Sequence, residues 1–464
     1  MRPSRRFLRA GLLLIVVGAT LGLVAGHSRP TSTEAAGGPI AIAVHGPETA
    51  SHDRNLTVIA TDSTAWLDDE GAGPRSRSEL VAVDASGTVQ YHNDSHNRYW
   101  DVDPVPETKR TVLYTASDHL SSAACDARTA CTRNVIERAN LTTGNVTRLY
   151  ARITPYKHST RWHDVDHVAG SRYAIADIYR DRVAIVDVAT GLERWAWNAQ
   201  GAFGLRSGGP FPRDWTHLND VEVLEDGRLM ASVRNHDQVV FLDRERGLQP
   251  NWTLGRDDRH ETLHMQHNPD YIPAADGGPA VVIGDSENNR VVEYQRAGDE
   301  WERTWTWQDT RLQWPRDADR LPNGNTLITD SNGDRVIEVN ETGAVVWTLE
   351  IGFPYEAERL GTGDESADGP SAQAANLSSS TAATGDAAAE AGGVRSALWR
   401  RIKGAVPGPL LNGAFYLVPG WMGAFEALLV AVLVGALLTW GVLEARWSRY
   451  RLSLRSPITL LRED

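Results

Sequence analysis

The sequence predicts an all-β chain folded as a six-bladed β-propeller, with an N-terminal signal or anchor segment and a C-terminal transmembrane helix. Three observations carry this. An acid-hydrophobic-acid triplet recurs as Asp101-Val102-Asp103, Asp164-Val165-Asp166, Asp220-Val221-Glu222 and Asp317-Ala318-Asp319, with Asp270-Tyr271-Ile272 as a looser member. Val183, Val239 and Val336 each fall nineteen residues after their triplet Asp, and Val291 falls twenty-one after Asp270. Each copy then closes on a Trp-bearing strand: Trp195-Ala196-Trp197, Trp252, Trp305-Thr306-Trp307 and Trp347. Short strands repeating at about forty to fifty residues mark propeller blades, whose four-stranded sheets stack around a channel. A two-sheet sandwich does not repeat at this period.

Taken in order, residues 1–26 place Arg2, Arg5, Arg6 and Arg9 before an apolar run, as in a signal peptide or an N-terminal membrane anchor. Residues 27–54, rich in small residues, Thr and Pro, form a connector. The propeller occupies 55–356. Its first, most divergent copy runs from Leu56 to Tyr91 with Leu80-Val81-Ala82-Val83-Asp84 as second strand, and its second is stretched by an insertion holding Cys125 and Cys131. In an oxidising compartment these two, the only cysteines, would close a small disulfide. Residues 357–395 have the Ala, Gly, Ser, Thr and acid composition of a disordered stalk. Residues 396–420 form a juxtamembrane segment expected along the membrane surface. Residues 421–443 are apolar enough to span a bilayer, and 444–464 form a basic cytoplasmic tail by the positive-inside rule.

The formal charge is -13, and Lys109, Lys157 and Lys403 are the only lysines. Because residues 1–10 carry +4 and 443–464 carry +2, the middle carries -13 - 4 - 2 = -19. Such acidity reads as a salt-adapted, halophilic surface and counts against nucleic-acid binding. Sequons at Asn55, Asn93, Asn140, Asn145, Asn251, Asn340 and Asn376 fit an extracellular glycoprotein.

In a repeat array the shared positions serve the fold, and the positions that depart are where chemistry can sit. The triplet Asp belongs to the first class and is read as a turn or strand-start residue bonding local backbone. One residue before it the series is Trp100, His163, Asn219, Pro269 and Arg316, and three before it Arg98, Arg161, His217, His267 and Trp314. Loops entering the innermost strands should ring one mouth of the channel with these groups. Five residues before the repeat valine stand Ile178, Arg234, Ser286 and Ser331, and only Arg234 places a guanidinium there. Three imidazoles, a carboxamide and one or two guanidinium groups suit a tetrahedral oxyanion: Arg and Asn donate, and His serves as nucleophile or proton carrier.

At Trp162-His163-Asp164, His217-Leu218-Asn219 with Arg234, and Gln266-His267-Asn268, the chain resembles the arylsulfate sulfotransferase family, in the form of a haloarchaeal-like, membrane-anchored member. The resemblance covers the propeller. It implies transfer of a sulfuryl group from a phenolic sulfate ester to another hydroxyl acceptor, phenolic or glycan, with no cofactor and no nucleotide sulfate donor. It further implies that His267 becomes sulfated, that His163 and His217 are its catalytic partners, and that Asn219 and Arg234 hold the sulfuryl oxygens; Arg316, from the same ring of variable positions, is read beside them as a further substrate-binding group. Two other readings stand beside it. One is a non-enzymatic exported propeller binding a ligand or partner at its channel mouth. The other is a metal-dependent lyase or hydrolase using His163, His217 and His267 as zinc ligands.

Overall fold

The computed structural model describes residues 5–27, 43–45, 55–62, 77–106, 108–363, 365, 367–380, 406–417, 422 and 424–448. Two compact units result, one from residues 1–30 with 421–464, the other from 31–420.

In the larger unit six antiparallel sheets surround one channel. Blades two, three, five and six follow the chain from the axis outward, starting at Arg98–Pro104, Trp162–Ala169, His267–Ile272 and Pro315–Arg320. Blade four starts at Leu218–Val223 and splits its outer strand into Gly247–Leu248 and Leu254–Gly255. Neighbouring blades cover both faces of a sheet, so the second strands are continuous apolar runs such as Ala280–Asp285, buried throughout.

Blade one differs from the sequence expectation. Its innermost strand is Pro354–Arg359, which comes from the far end of the repeat array and pairs with Thr57–Thr61. Leu80–Val83 is therefore third from the axis. This closure corrects the end of the propeller at 356 and the start of the stalk at 357. The strand runs to Arg359, and Ala372 lies buried with Trp305 and Trp307 while its N–H donates to Glu293. The remainder of the expected stalk, 381–395, lies outside the described residues. Within the expected connector, Ala43–His45 adds a fifth strand to blade six. Of the expected juxtamembrane segment, Gly408–Leu417 forms a helix, here α2, with Asn412 buried and bonded to Glu287.

The repeat residues prove to join blades. Each triplet lies on an innermost strand, and in blades one, two, three, four and six one of its acids accepts a backbone N–H from the next blade: Glu356 from Val102 at 2.8 Å, Asp101 from Val165 at 3.2 Å, Asp164 from Val221, Glu222 from Tyr271 at 2.9 Å, and Asp317 from Ala357 at 3.0 Å. The expected local turn bonds are thus corrected: the partner is across the blade interface. At the rim, tryptophan indoles do the same, Trp195 to the Arg244 carbonyl (2.8 Å), Trp307 to that of Gly343 (2.9 Å) and Trp347 to that of Ala85 (3.4 Å). Their rings fill apolar space while the N–H finds an acceptor, each bond contributing about 1 kcal/mol net. Cys125 and Cys131 are joined by a disulfide in the insertion of blade two.

The smaller unit pairs two helices long and apolar enough to cross a membrane, α1 (Arg5–His27) and α3 (Ala424–Trp447), each with mean hydropathy 2.2. The second helix runs past the expected end at 443. They pack closely: a Cβ at Gly22 would lie 2.7 Å from Leu429, and Arg9 meets Glu444 at 2.5 and 2.6 Å.

Candidate functional site

Where the six innermost strands begin, the variable positions converge. His217, Trp314 and Phe353, each three residues before a triplet acid, have left-handed backbones (φ 47°, 57° and 48°). That conformation is unfavourable for such side chains and is held here by the surrounding loops. His163, His217, His267, Asn219 and Arg316 are all buried, and Arg234 is partly buried.

His163 stacks on Trp100 with ring centroids 4.1 Å apart and meets the His217 ring edge-on at 5.2 Å. Its Nδ1 lies 3.2 Å from the Tyr355 hydroxyl, and its Nε2 is buried with no hydrogen-bond partner. Tyr355 also contacts His267, centroids 6.2 Å apart, so it sits between the two. His217 Nδ1 bonds Asp214, whose other oxygen is 3.9 Å from Arg234 Nη2. Asn219 donates to the Gln266 carbonyl at 3.1 Å, beside His267, and leaves its own carbonyl oxygen unpaired. Arg316 lies 4.4 Å from the Trp314 ring, 4.5 Å from that of Tyr355 and 4.9 Å from that of Phe353. All six sequence-derived groups are therefore brought together.

His267 Nδ1 is 2.8 Å from Ser286 Oγ, which is itself 2.7 Å from the Pro315 carbonyl oxygen. A hydroxyl has one proton and a carbonyl can only accept, so Ser286 donates to Pro315 and accepts from Nδ1–H. His267 is thereby assigned the tautomer with a bare Nε2 lone pair.

Electrostatics favour neutral imidazoles. Burial pushes His267 well below the usual histidine range, and Arg316, Arg234 and His217 add to it. Burial, then His217, Arg161, Arg316 and His267, does the same to His163. His217 falls to about 4 through burial and Arg234, against the opposing pull of Asp214. Burial would raise Asp214, but His217 and Arg234 outweigh it and hold the carboxyl below its ordinary range. Burial raises the Tyr355 phenol well above its ordinary value, so it remains a neutral donor.

Two inferences from the repeat change. The Asp that Val233 replaces, present as Asp177, Asp285 and Asp330, pairs with an Arg of its own blade, namely Arg182, Arg290 and Arg335. Blade four has Gln238 in place of that Arg, so Val233 loses nothing that Arg234 would have used; Asp214 supplies the nearby acid instead. Among the described residues, the groups of His, Cys and acids with ligand atoms within 4.8 Å of one another are all-carboxylate and exclude the three histidines.

Sequence reasoning missed Tyr355, Asp214 and the role of Ser286. Tyr355 immediately precedes Glu356-Ala357-Glu358, a sixth triplet whose acids are Glu, so it fills the very position that yielded His163, Asn219 and Arg316.

No curated protein matches the sequence. Solved propellers similar to it include the periplasmic gluconolactonase of Pseudomonas aeruginosa, at 12% identity and TM-score 0.40 over 67% of this chain and 99% of that one. Another is virginiamycin B lyase of Staphylococcus aureus, at 8% identity and TM-score 0.39 over 66% of this chain and 88% of that one. Residues 52–268, the stretch carrying His163, His217, Asn219, Arg234 and His267, match the family model described as Arylsulfotransferase (ASST).

Proposed function

We propose that the protein is a sulfotransferase that moves a sulfuryl group from an aryl sulfate ester to a phenolic or other hydroxyl acceptor, through a sulfohistidine at His267. The observation that carries this reading is the Ser286 hydroxyl, committed to the Pro315 carbonyl, which leaves His267 Nε2 as a bare lone pair among guanidinium groups. A buried, neutral imidazole amid fixed cations is arranged to attack an anionic ester.

In the first half-reaction Nε2 bonds to sulfur as the aryl S–O bond breaks, and the donor leaves as a phenolate that takes a proton from solvent. Arg234, Arg316 and Asn219 hold the sulfuryl oxygens. With Tyr355 donating to His163 Nδ1, the unpaired His163 Nε2 carries a proton and adds a further donor. In the second half-reaction the acceptor oxygen bonds to sulfur, the S–N bond breaks, and the acceptor proton passes to His217 Nε2, free because Nδ1–H faces Asp214.

The membrane-crossing helices at each end and the basic residues outside them support a propeller held on the extracellular side of a cell membrane, with the C-terminal tail in the cytoplasm. The lysine-poor, acidic composition supports a salt-adapted host.

The test is steady-state transfer from an aryl sulfate to a phenol by the detergent-purified chain, with phenanthroline present to remove transition metals. Parallel double-reciprocal lines and phenanthroline resistance are expected. Intersecting lines would remove the covalent intermediate, and activity restored only by zinc would make the histidines ligands. Ser286→Ala should lower kcat about 10- to 100-fold with little change in KM, since it frees the tautomer of His267 and touches no substrate.

A further inference from the structure

Directly behind the histidines, the channel is lined by carboxylates. A small cavity of about 10 Å³ there, room for a single ion or water, is walled by nine acids and Asn268. Several of these oxygens are occupied by the inter-blade N–H bonds described above. Others are not: Asp220 and Asp270 each turn a buried Oδ2 with no donor toward the cavity. Asp101, Asp103 and Glu356 bring ligand oxygens within 4.8 Å of one another.

Asn268 is the separate pointer. Only 6% exposed, it donates from Nδ2 to Glu356 Oε2 at 2.6 Å. A carboxylate can only accept, so this bond fixes which end of the carboxamide is which. The carbonyl oxygen Oδ1 then lines the cavity, buried and without a donor. The backbone there is left-handed (φ 33°), which Asn tolerates better than most residues. This carboxamide oxygen, with no donor of its own, converges with the carboxylates of Asp101 and Asp103 from blade two and of Glu356 from blade one. Unpaired buried acceptors of this kind are costly unless a cation or protons satisfy them.

We propose that this chamber is a calcium site, with Asp101, Asp103, Glu356 and the Oδ1 of Asn268 as protein ligands. The donor set is all oxygen, which selects a hard cation over zinc or copper. More oxygens face the chamber than an octahedral ion uses, and Ca²⁺ accepts six to eight in irregular geometry, whereas Mg²⁺ keeps much of its water. The ion would tie the closing strand of blade one to blades two and five. It would sit one residue from both Tyr355 and His267, beneath the site but outside its chemistry.

The experiment is radioactive ⁴⁵Ca²⁺ equilibrium dialysis and thermal unfolding of the detergent-purified full chain at constant high ionic strength. One tightly held Ca²⁺ per chain is expected, with Tm about 5 °C higher in millimolar CaCl₂ than in EGTA, and no such gain from MgCl₂ or NaCl. Asp101→Asn keeps an acceptor for the Val165 N–H while removing a charge, so it should fold and lose both the bound ion and the shift. No saturable Ca²⁺ on the parent, an equal gain from Mg²⁺ or Na⁺, or full binding retained by Asp101→Asn would each overturn the proposal. None of these readouts depends on sulfuryl transfer.

Discussion

His267→Ala is expected to lower transfer at least about 10⁴-fold and to abolish the rapid release of donor phenol in the first turnover. The imidazole that it removes is the one whose Nδ1 proton is committed to Ser286, so no other side chain in the cluster presents a lone pair in the same place. His163 and His217 are each tied at Nδ1 to a different group, Tyr355 and Asp214, and neither can swing to replace it without breaking that bond. Two measurements are required together. Radiolabel from an aryl [³⁵S]sulfate should remain on the denatured parent, with the alkali stability and acid lability of a phosphoramidate-like N–S bond, and be absent from the variant. A variant that keeps its Tm and still shows the burst would move the nucleophile elsewhere and remove the sulfohistidine reading.

The repeat made most of this cluster legible because a propeller places equivalent residues of successive blades on one ring. Comparing positions one and three residues before each triplet acid was enough to find His163, His217, His267, Asn219 and Arg316. It did not find Tyr355, because blade one closes with a strand from residues 354–359, nearly three hundred residues beyond its partner Thr57–Thr61. Periodicity along the chain carries no sign of that pairing, and the Glu-Ala-Glu triplet that could have marked it begins with a different acid. Ser286 was visible as a departure from Ile178 and Arg234, but its role depends on the Pro315 carbonyl of the adjacent blade. Asp214 belongs to the irregular loop 202–217, which is longer than the corresponding loops 156–161, 256–266 and 308–314, so the repeat spacing does not point to it. The meaning of the triplet acids was obscured for a related reason. Their hydrogen bonds run to the next blade, and only a folded ring shows that the most repeated residue of the sequence is the joint between repeats.

Asp214→Asn separates the two half-reactions. Asp214 touches no substrate; it fixes His217 with Nε2 bare and raises its basicity against the burial and the Arg234 charge that depress it. An Asn at 214 can face the imidazole with its amide N–H₂, which favours the opposite tautomer and puts a proton where the acceptor's proton must go. Loss of about 10² to 10⁴ in steady-state turnover is expected, by the logic of any histidine base whose orienting carboxylate is neutralised. The first-turnover burst of donor phenol should persist, since it needs His267 and not a base at His217. The sign of the pH effect is fixed by the same groups. In the parent His217 titrates at about 4, so the acid limb of kcat should fall there as the imidazole gains a proton. Removing the carboxylate takes away the one influence that raises that value, so the limb should move to still lower pH even as the plateau drops. Equal loss of burst and turnover would instead place Asp214 with the sulfuryl-holding groups, acting through Arg234 at 3.9 Å. A burst that survives while turnover collapses requires that the base for the acceptor be distinct from the nucleophile, which is what three separately anchored imidazoles around one axis provide.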